Sequence, residues 1–317
     1  MKNTFSTLSE RIIRTSIDWS GANLPLAEYL AGRFTYRNIE QWKERIISGE
    51  ITLNGKIVPP ETVLALNDCI EYRPGDIEEP LADLDFKIVF EDDSICVIDK
   101  PGNLCMHPAG PFFKNTLWHL LCQRYGEIHF INRLDRETSG LLLAAKNSAA
   151  AKIINKNRTV SAKNYAVIVH GIFPETLEAD GYIFNAGNVI RKQRKFAFDM
   201  PTQQNFESAS TRFTRIKSGN GFSLLKAELS TGRMHQIRAT LHSLGYPVAG
   251  DKLYGVDSNF YLKQKSDDLS DRDREQLIFS RQALHSQELI FTHPLSNEKL
   301  LFSSPLPEEF KKITDNM

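Results

Sequence analysis

The sequence predicts a chain of mixed helices and strands in two parts, on three observations. Residues 22–75 combine two helical stretches with an alternating segment that turns at Asn54-Gly55. Pro74-Gly75-Asp76-Ile77-Glu78-Glu79-Pro80 is an acidic, proline-bounded link at which the character of the chain changes. From residue 86 onward, hairpins, amphipathic helices and short apolar strands follow one another. These place residues 1–21 as an N-terminal arm, 22–75 as a compact module, 76–85 as a linker and 86–317 as the larger domain.

In chain order, residues 1 to about 20 have no clear period and read as an arm or an edge strand. Leu24 to Leu30 suits a short helix, since Pro25 is tolerated in a first turn. A second helix is predicted over Arg37 to Ile47, with Thr35 as N-cap and Gly49 as the stop. Gly49 to Val58 then alternates through the Asn54-Gly55 turn as a hairpin. The order of these elements, with ISGEITLNGK after an amphipathic helix and LNDCIEYRPG closing the unit, resembles the S4-type RNA-binding module. That resemblance implies RNA contact by the second helix and its loop, where Arg33, Tyr36, Arg37, Lys43 and Arg45 supply cations and a stacking ring. Glu40 and Glu44 interrupt the positive face, so an amphipathic helix with i,i+4 surface pairs remains the alternative.

Beyond the link, Phe86–Phe90 and Ile95–Ile98 read as a hairpin, and Thr116 to Tyr125 as a helix with Trp118, Leu121 and Cys122 facing inward. Ala149 to Lys156 is a helix, Asn164 to Val169 a strand, and Phe222 to Leu229 a strand that delivers Thr231-Gly232-Arg233-Met234-His235-Gln236-Ile237-Arg238. His235 to Leu244 is then a helix whose start would bring N–H donors near an anion. Residues 256–275 are polar and read as a solvent-exposed excursion. One or two strands around Ala283–His285 and Leu289–Pro294, and a charged C-terminal tail, finish the chain.

Composition excludes more than it suggests. Lys and Arg total 39 and Asp and Glu total 39, a formal net charge of zero, so any attraction to nucleic acid must be local. Arg191-Lys192-Gln193-Arg194-Lys195, followed by Phe196 and Phe198, is such a local feature, read as a phosphate-contacting run or a solvated loop. Cys69, Cys96, Cys105 and Cys122 lack CxxC spacing and read as reduced, buried thiols. His107 and His119 have no further ligands at useful spacing, so no metal site is expected. No signal-peptide core and no eighteen-residue apolar run occur, which points to a cytoplasmic protein without a membrane partner.

The stretch FINRLDRETSGLLLAAK, residues 130–146, carries the chemistry. Asp135 lies between Arg133 and Arg136, whose field favours the carboxylate, and Leu141 to Ala145 reads as a buried strand behind it. Locally this is either a reactive carboxylate or a surface Arg–Asp pair. Tyr165 is likewise either a core aromatic or a phenol aimed at the same cleft.

NRLDRETSGLLLAAK, KNYAVIVHG, TGRMHQIRATLHSLGYPVAGDKLYG and RQALHSQELIFTHP occur in the order and at about the spacing found in RluA-type pseudouridine synthases, which the chain resembles over residues 86–303. The resemblance implies an α+β catalytic domain on a mixed, mostly antiparallel sheet with a central RNA cleft. It also implies isomerisation of uridine to pseudouridine in RNA without metal or organic cofactor. It assigns catalysis to Asp135, paired with Arg238, with Tyr165 as general base or stacking ring and Arg133 engaging the RNA around a flipped base. Arg136, Lys163, Arg194, Lys195 and Arg233 are expected at phosphates, His235 and Gln236 as loop-ordering residues, and Leu284 near the base. Two departures stand out: Asn132 replaces the usual histidine, where it can still donate to a backbone group but cannot titrate, and Ala239-Thr240 replaces a commoner Val-His. The expected partner is RNA, large-subunit ribosomal RNA ahead of tRNA, bound by a monomer. The alternative is an RNA-binding or ribosome-assembly factor with little turnover.

Overall fold

The computed structural model describes residues 11–317 apart from 35–36, 76–77, 158, 188–189, 191–192, 203–204, 258 and 267. The chain divides into two compact units, residues 1–80 with 109–114 and residues 81–108 with 115–317.

The first unit holds β1 (Ile13–Ser16), α1 (Leu26–Arg33), α2 (Ile39–Ile47), β2 (Ile51–Leu53) and β3 (Cys69–Tyr72), its strands in the antiparallel order β1-β3-β2. Of the two readings of the first twenty residues, Ile13–Ser16 is an edge strand. Helix α2 starts two residues later than predicted because Asn38 caps it. The Asn38 side chain accepts from Gln41 N–H at 2.9 Å and Gln41 reciprocates at 3.0 Å, a capping box. Thr35, the predicted cap, and Tyr36 lie outside the described residues. The predicted hairpin is also corrected. After the Asn54-Gly55 turn the chain leaves the ladder, and β2 pairs with β3 instead. Pro59 and Pro60 have no N–H to give, which stops a returning strand there. Trp42, Ile46, Leu26, Leu30 and Ile51 form the fully buried centre.

The second unit is an α+β domain on one large sheet. Its elements are β4 (Lys87–Glu91), β5 (Ile95–Lys100), α3 (Leu117–Tyr125), β6 (His129–Phe130), β7 (Ser139–Ala145), α4 (Ser148–Asn157), β8 (Val160–His170), β9 (Thr176–Asn185), β10 (Arg194–Ala197), β11 (Phe206–Gly219), β12 (Phe222–Leu229), α5 (Gln236–Ser243), α6 (Asn259–Ser266), α7 (Asp271–Leu277), β13 (Leu284–Thr292), β14 (Lys299–Ser303) and α8 (Glu308–Thr314). The strand order is β10-β9-β11-β12-β8-β13-β7-β5-β4, with β14 on β13 and β6 on β7. Pairing is antiparallel throughout except for β13 with β7. On β8, Tyr165, Val167 and Val169 face the cluster that includes Leu121 of α3 and Ile237 and Leu241 of α5. The alternate residues Ala166 and Ile168 face Phe279 and Phe310 on the other side. That is the period of two expected of a strand covered on both faces.

Several expectations are corrected. Trp118 packs against the core but stays half-buried, and His119 beside it is the more deeply buried on α3. Residues 256–275 contain α6 and α7, anchored by buried Phe260 and Leu277, rather than a bare excursion. Of the one or two strands read around residues 283–294, the structure has one, β13, carried across a bulge between Ser286 and Glu288. The charged tail contains β14 and α8, the latter held by fully buried Phe310.

Candidate active site

Asp135 sits in the loop between β6 and β7, and its neighbours fasten that loop from both sides. The fully buried ammonium of Lys100 donates to the carbonyls of Pro101 at 2.7 Å, Leu104 at 3.1 Å and Arg136 at 3.1 Å. Its burial lowers the lysine pKa to about 7. Glu137 accepts from Lys252 Nζ at 3.1 Å with both oxygens, and its carbonyl accepts from Arg281 at 2.9 Å. Thr138 closes the turn by donating its N–H to the Asp135 carbonyl at 3.1 Å. Asn132 is buried behind the loop. It accepts from the backbone rather than donating to it: its Oδ1 accepts from Leu143 N–H at 2.9 Å, and its Nδ2 has no hydrogen-bond partner among the described residues.

The carboxylate of Asp135, about a third exposed, meets α5. Arg238 Nη1 donates to Asp135 Oδ2 at 2.6 Å. The other edge of the same guanidinium is committed to Asp251, Nε at 2.6 Å and Nη2 at 2.9 Å. Asp251 is wholly buried and also accepts the N–H groups of Leu253 and Tyr254, each at 2.9 Å. Four donors on one carboxylate fix its geometry, and through it the direction of Nη1. Burial alone would raise the pKa of Asp135, but the adjacent Arg238 charge and its hydrogen bond hold it below the ordinary carboxylate value. Asp135 is therefore ionised at neutral pH.

Tyr254 organises the other wall. Its ring lies under the Arg238 guanidinium, 5.0 Å from its centre to Cζ. Its hydroxyl accepts the N–H of Arg194 at 2.8 Å and so has its proton free for His235 Nδ1 at 2.9 Å. That assigns the ring proton to Nε2, which faces Asp135 Oδ1 at 3.8 Å. Burial lowers the His235 pKa to about 4, so the ring is neutral at pH 7. Tyr165 is buried on β8 opposite Ala227 and Ser286. Burial, with a contribution from Asp135, raises its pKa to about 12 and keeps the phenol protonated.

The other expected residues are distributed around this centre. Gln236 does order the loop ahead of α5, accepting from Thr231 Oγ1 and Arg233 N–H at 2.9 Å and donating to Ser210 O at 3.1 Å and Thr211 Oγ1 at 2.8 Å. Arg233 donates to Ser208 O at 2.9 Å and pairs with Glu207 at 3.1 Å. Lys163 extends toward Gly232, where an added Cβ would lie 3.3 Å from its Nζ, and burial lowers its pKa. Arg133 and Lys195 are exposed, Arg136 and Arg194 half-buried, and Leu284 is in the core cluster that includes Tyr165. Arg191 and Lys192 of the basic run lie outside the described residues. In the first unit, Lys43 pairs with Glu40 at 3.0 Å, Arg45 with Glu50 at 2.6 Å, and Arg37 lies over Trp42. Both cations are held in ion pairs, Lys43 at i,i+3 and Arg45 with a carboxylate beyond the helix end, rather than at the i,i+4 spacing of the alternative.

Sequence reading missed Asp251, Tyr254, Lys100 and the Glu137–Lys252 pair. AGDKLYG and DKPG contain them, but nothing local distinguishes a brace from a turn residue. A cavity of about 780 Å³ has Arg136, Glu137, Arg281 and His285 in its walls but not Asp135, Tyr165 or Arg238. Among the described residues no group of three or more His, Cys, Asp or Glu is placed to hold a metal ion, and no helix is long and apolar enough to cross a membrane.

An ionised aspartate held by a braced arginine beside a buried tyrosine can attack or stabilise an electron-poor carbon. Residues 94–243 match the family described as RNA pseudouridylate synthase. The chain is 31% identical over 322 residues to an RNA pseudouridine synthase of Chlorobaculum parvum, covering 95% of this chain and 97% of that one. It is 30% identical over 277 residues to ribosomal large subunit pseudouridine synthase D of Pseudomonas aeruginosa, covering 84% and 83%. It is 34% identical over 237 residues to the mitochondrial tRNA pseudouridine(32) synthase of Saccharomyces cerevisiae, covering 73% of this chain and 50% of that one. The fold is similar to that of human RNA pseudouridylate synthase domain containing 1, with a TM-score of 0.54, 24% identity and coverage of 72% and 86%. With the motifs, the sheet and these relatives in agreement, the chain belongs to the RluA-type RNA pseudouridine synthases.

Proposed function

We propose that the chain converts uridine to pseudouridine in large-subunit ribosomal RNA, with Asp135 as the group that acts on the target nucleotide. In the isomerisation the N1–C1′ bond breaks, the uracil turns, C5 bonds to C1′, and the proton on C5 is lost while N1 gains one. No electrons are exchanged with a carrier. Asp135 is the nucleophile or the stabilising anion, and Arg238 keeps it ionised and aimed. Because the Tyr165 phenol stays protonated to about 12, it packs against or orients the base rather than removing a proton as phenolate. Arg133 occupies the space of the flipped base, and Arg136, Lys163, Arg194, Lys195 and Arg233 take phosphates. The first unit acts as an S4-like RNA contact through Arg37 and Lys43, and the enzyme works as a monomer.

The observation that carries the assignment is the 2.6 Å contact from Arg238 to Asp135, with the remainder of the guanidinium held by Asp251. The ribosomal substrate is favoured by relatives that carry a large-subunit name, such as that of Pseudomonas aeruginosa. The test is carbodiimide mapping of pseudouridine in RNA from cells with and without the gene, complemented by wild type or Asp135→Asn. Loss of a large-subunit site, restored by wild type alone, is expected. Loss confined to tRNA would replace the ribosomal reading with a tRNA one, and restoration by Asp135→Asn would remove Asp135 from the chemistry.

A further inference from the structure

The outer face of the sheet changes character at its β10 end. Cross-strand partners share a face. Along β9, β11 and β12 the face turned away from α5 carries Thr176 beside Thr214, Glu178 paired with Arg212 at 3.2 Å, Asp180 beside Ser210, and Lys226 paired with Glu228 at 3.1 Å. That is ordinary chemistry for a solvated sheet. In the last two rows the same face carries Phe206 opposite Phe184 opposite Lys195, then Ser208 opposite Tyr182 opposite Ala197. The rings of Tyr182 and Phe206 meet edge to face at 5.2 Å. All three aromatics are half-exposed, and none belongs to the hydrophobic clusters formed by the described residues.

The three rings lie across the sheet from α5, and Arg233 meets the sheet at the strand edge, donating to the carbonyl of Ser208 while pairing with Glu207 on the α5 face, the face that Lys163 shares with Tyr165. The N–H of Arg194 on β10 is held by Tyr254, which in turn holds His235 next to Asp135. Rings on an antiparallel sheet with cations at their margin suit the bases and phosphates of single-stranded RNA, because every base has a stacking face and every linkage a negative charge.

We propose that Tyr182, Phe184 and Phe206 form a stacking platform for unpaired bases of single-stranded RNA on the face opposite α5, with Lys195, in the same row as Phe184 and Phe206, at the adjoining phosphate. The platform rests on the chain's action on RNA and is independent of which uridine is modified. It adds affinity without reading sequence, since stacking tolerates any base.

The test uses the full chain and two fluorescent probes, a cytidine dodecamer, which offers no uridine to the active site, and an abasic strand of the same length. Tyr182→Leu/Phe206→Leu should bind the cytidine strand about ten-fold more weakly than wild type while binding the abasic strand equally well. Phe206→Tyr, which keeps a ring, should bind like wild type. If the leucine pair does not fold, Tyr182→Ser alone, at a half-exposed position, gives the same comparison. Unchanged affinity for the cytidine strand would overturn the platform, as would equal losses on both probes. A wild-type dimer in sedimentation that the leucine pair converts to monomer would assign the patch to a second copy of the chain instead. Asp135→Asn should bind both probes like wild type, so failure of the catalytic assignment and failure of the platform give different results.

Discussion

Arg238 is divided between two carboxylates, and the division is unequal. Asp251 receives two of its N–H groups and is sealed from solvent, whereas Asp135 receives one and stays about a third exposed. The buried partner anchors the guanidinium, and the other keeps its access to solvent. Asp251→Asn should therefore slow single-turnover pseudouridine formation by about 100-fold, and also cost about 3 kcal/mol of stability in denaturant melts, because a buried guanidinium loses its counter-charge. Arg238→Lys should do no better, since an ammonium cannot span both acids with a fork. Stability should also fall on acidification. His235 and His285 both have folded pKa values near 4 because burial disfavours the cation, against an ordinary 6.5. The unfolded chain binds protons first, so their contribution is complete above about pH 6.5 and is lost as pH falls toward 4, on the order of 3 kcal/mol each. A guanidinium-melt series from pH 7 to pH 4 that shows no such decline would contradict their buried, neutral state. At this scale Asp135 could be named from its motif, but its field could not. The flanking arginines suggested the charge, whereas the structure assigns it to Arg238, about a hundred residues away in the chain.

At the scale of elements, the contact between β7 and β13 is the least replaceable. It is the parallel pairing in the large sheet, registered as His285 with Ser139 and Ser286 with Gly140, and it follows directly after the Asp135 loop. Gly140 has φ +104, and a Cβ there would lie 2.2 Å from the carbonyl oxygen of Ser286. Gly140→Ala combines backbone strain with a clash and should destabilise by more than about 3 kcal/mol, read as loss of soluble folded protein or of the cooperative melt. Elements with a clear period were legible: the runs Leu141–Ala145 and Asn164–Val169 lie inside the longer β7 and β8, and α4 and β12 lie where the apolar pattern put them. Those whose partners are remote were not. Strands β9 and β11 carry polar residues on their outer face and fix themselves by pairing with each other, so no local stretch announced them. Phe260 and Phe310 turn apparently loose, polar segments into helices by docking single rings in the core.

For the whole molecule, a formal charge of zero means that RNA must be drawn by the cations around one cleft rather than by a general positive field. With Arg136, Lys163, Arg194, Lys195 and Arg233 at phosphates, the logarithm of affinity for single-stranded RNA should fall with the logarithm of salt at a slope of about −3.5. A slope near zero in a salt titration would remove these phosphate contacts. By itself the sequence determined the family and the α+β class and pointed to Asp135 as the candidate, because motifs and periodicity are local properties of a chain. Only the tertiary structure decided what surrounds that aspartate. Asp251, Tyr254 and Lys100 act through hydrogen bonds and burial between segments far apart in sequence, and the aromatic face on β9 and β11 becomes visible only when strand register puts Tyr182, Phe184 and Phe206 on one side.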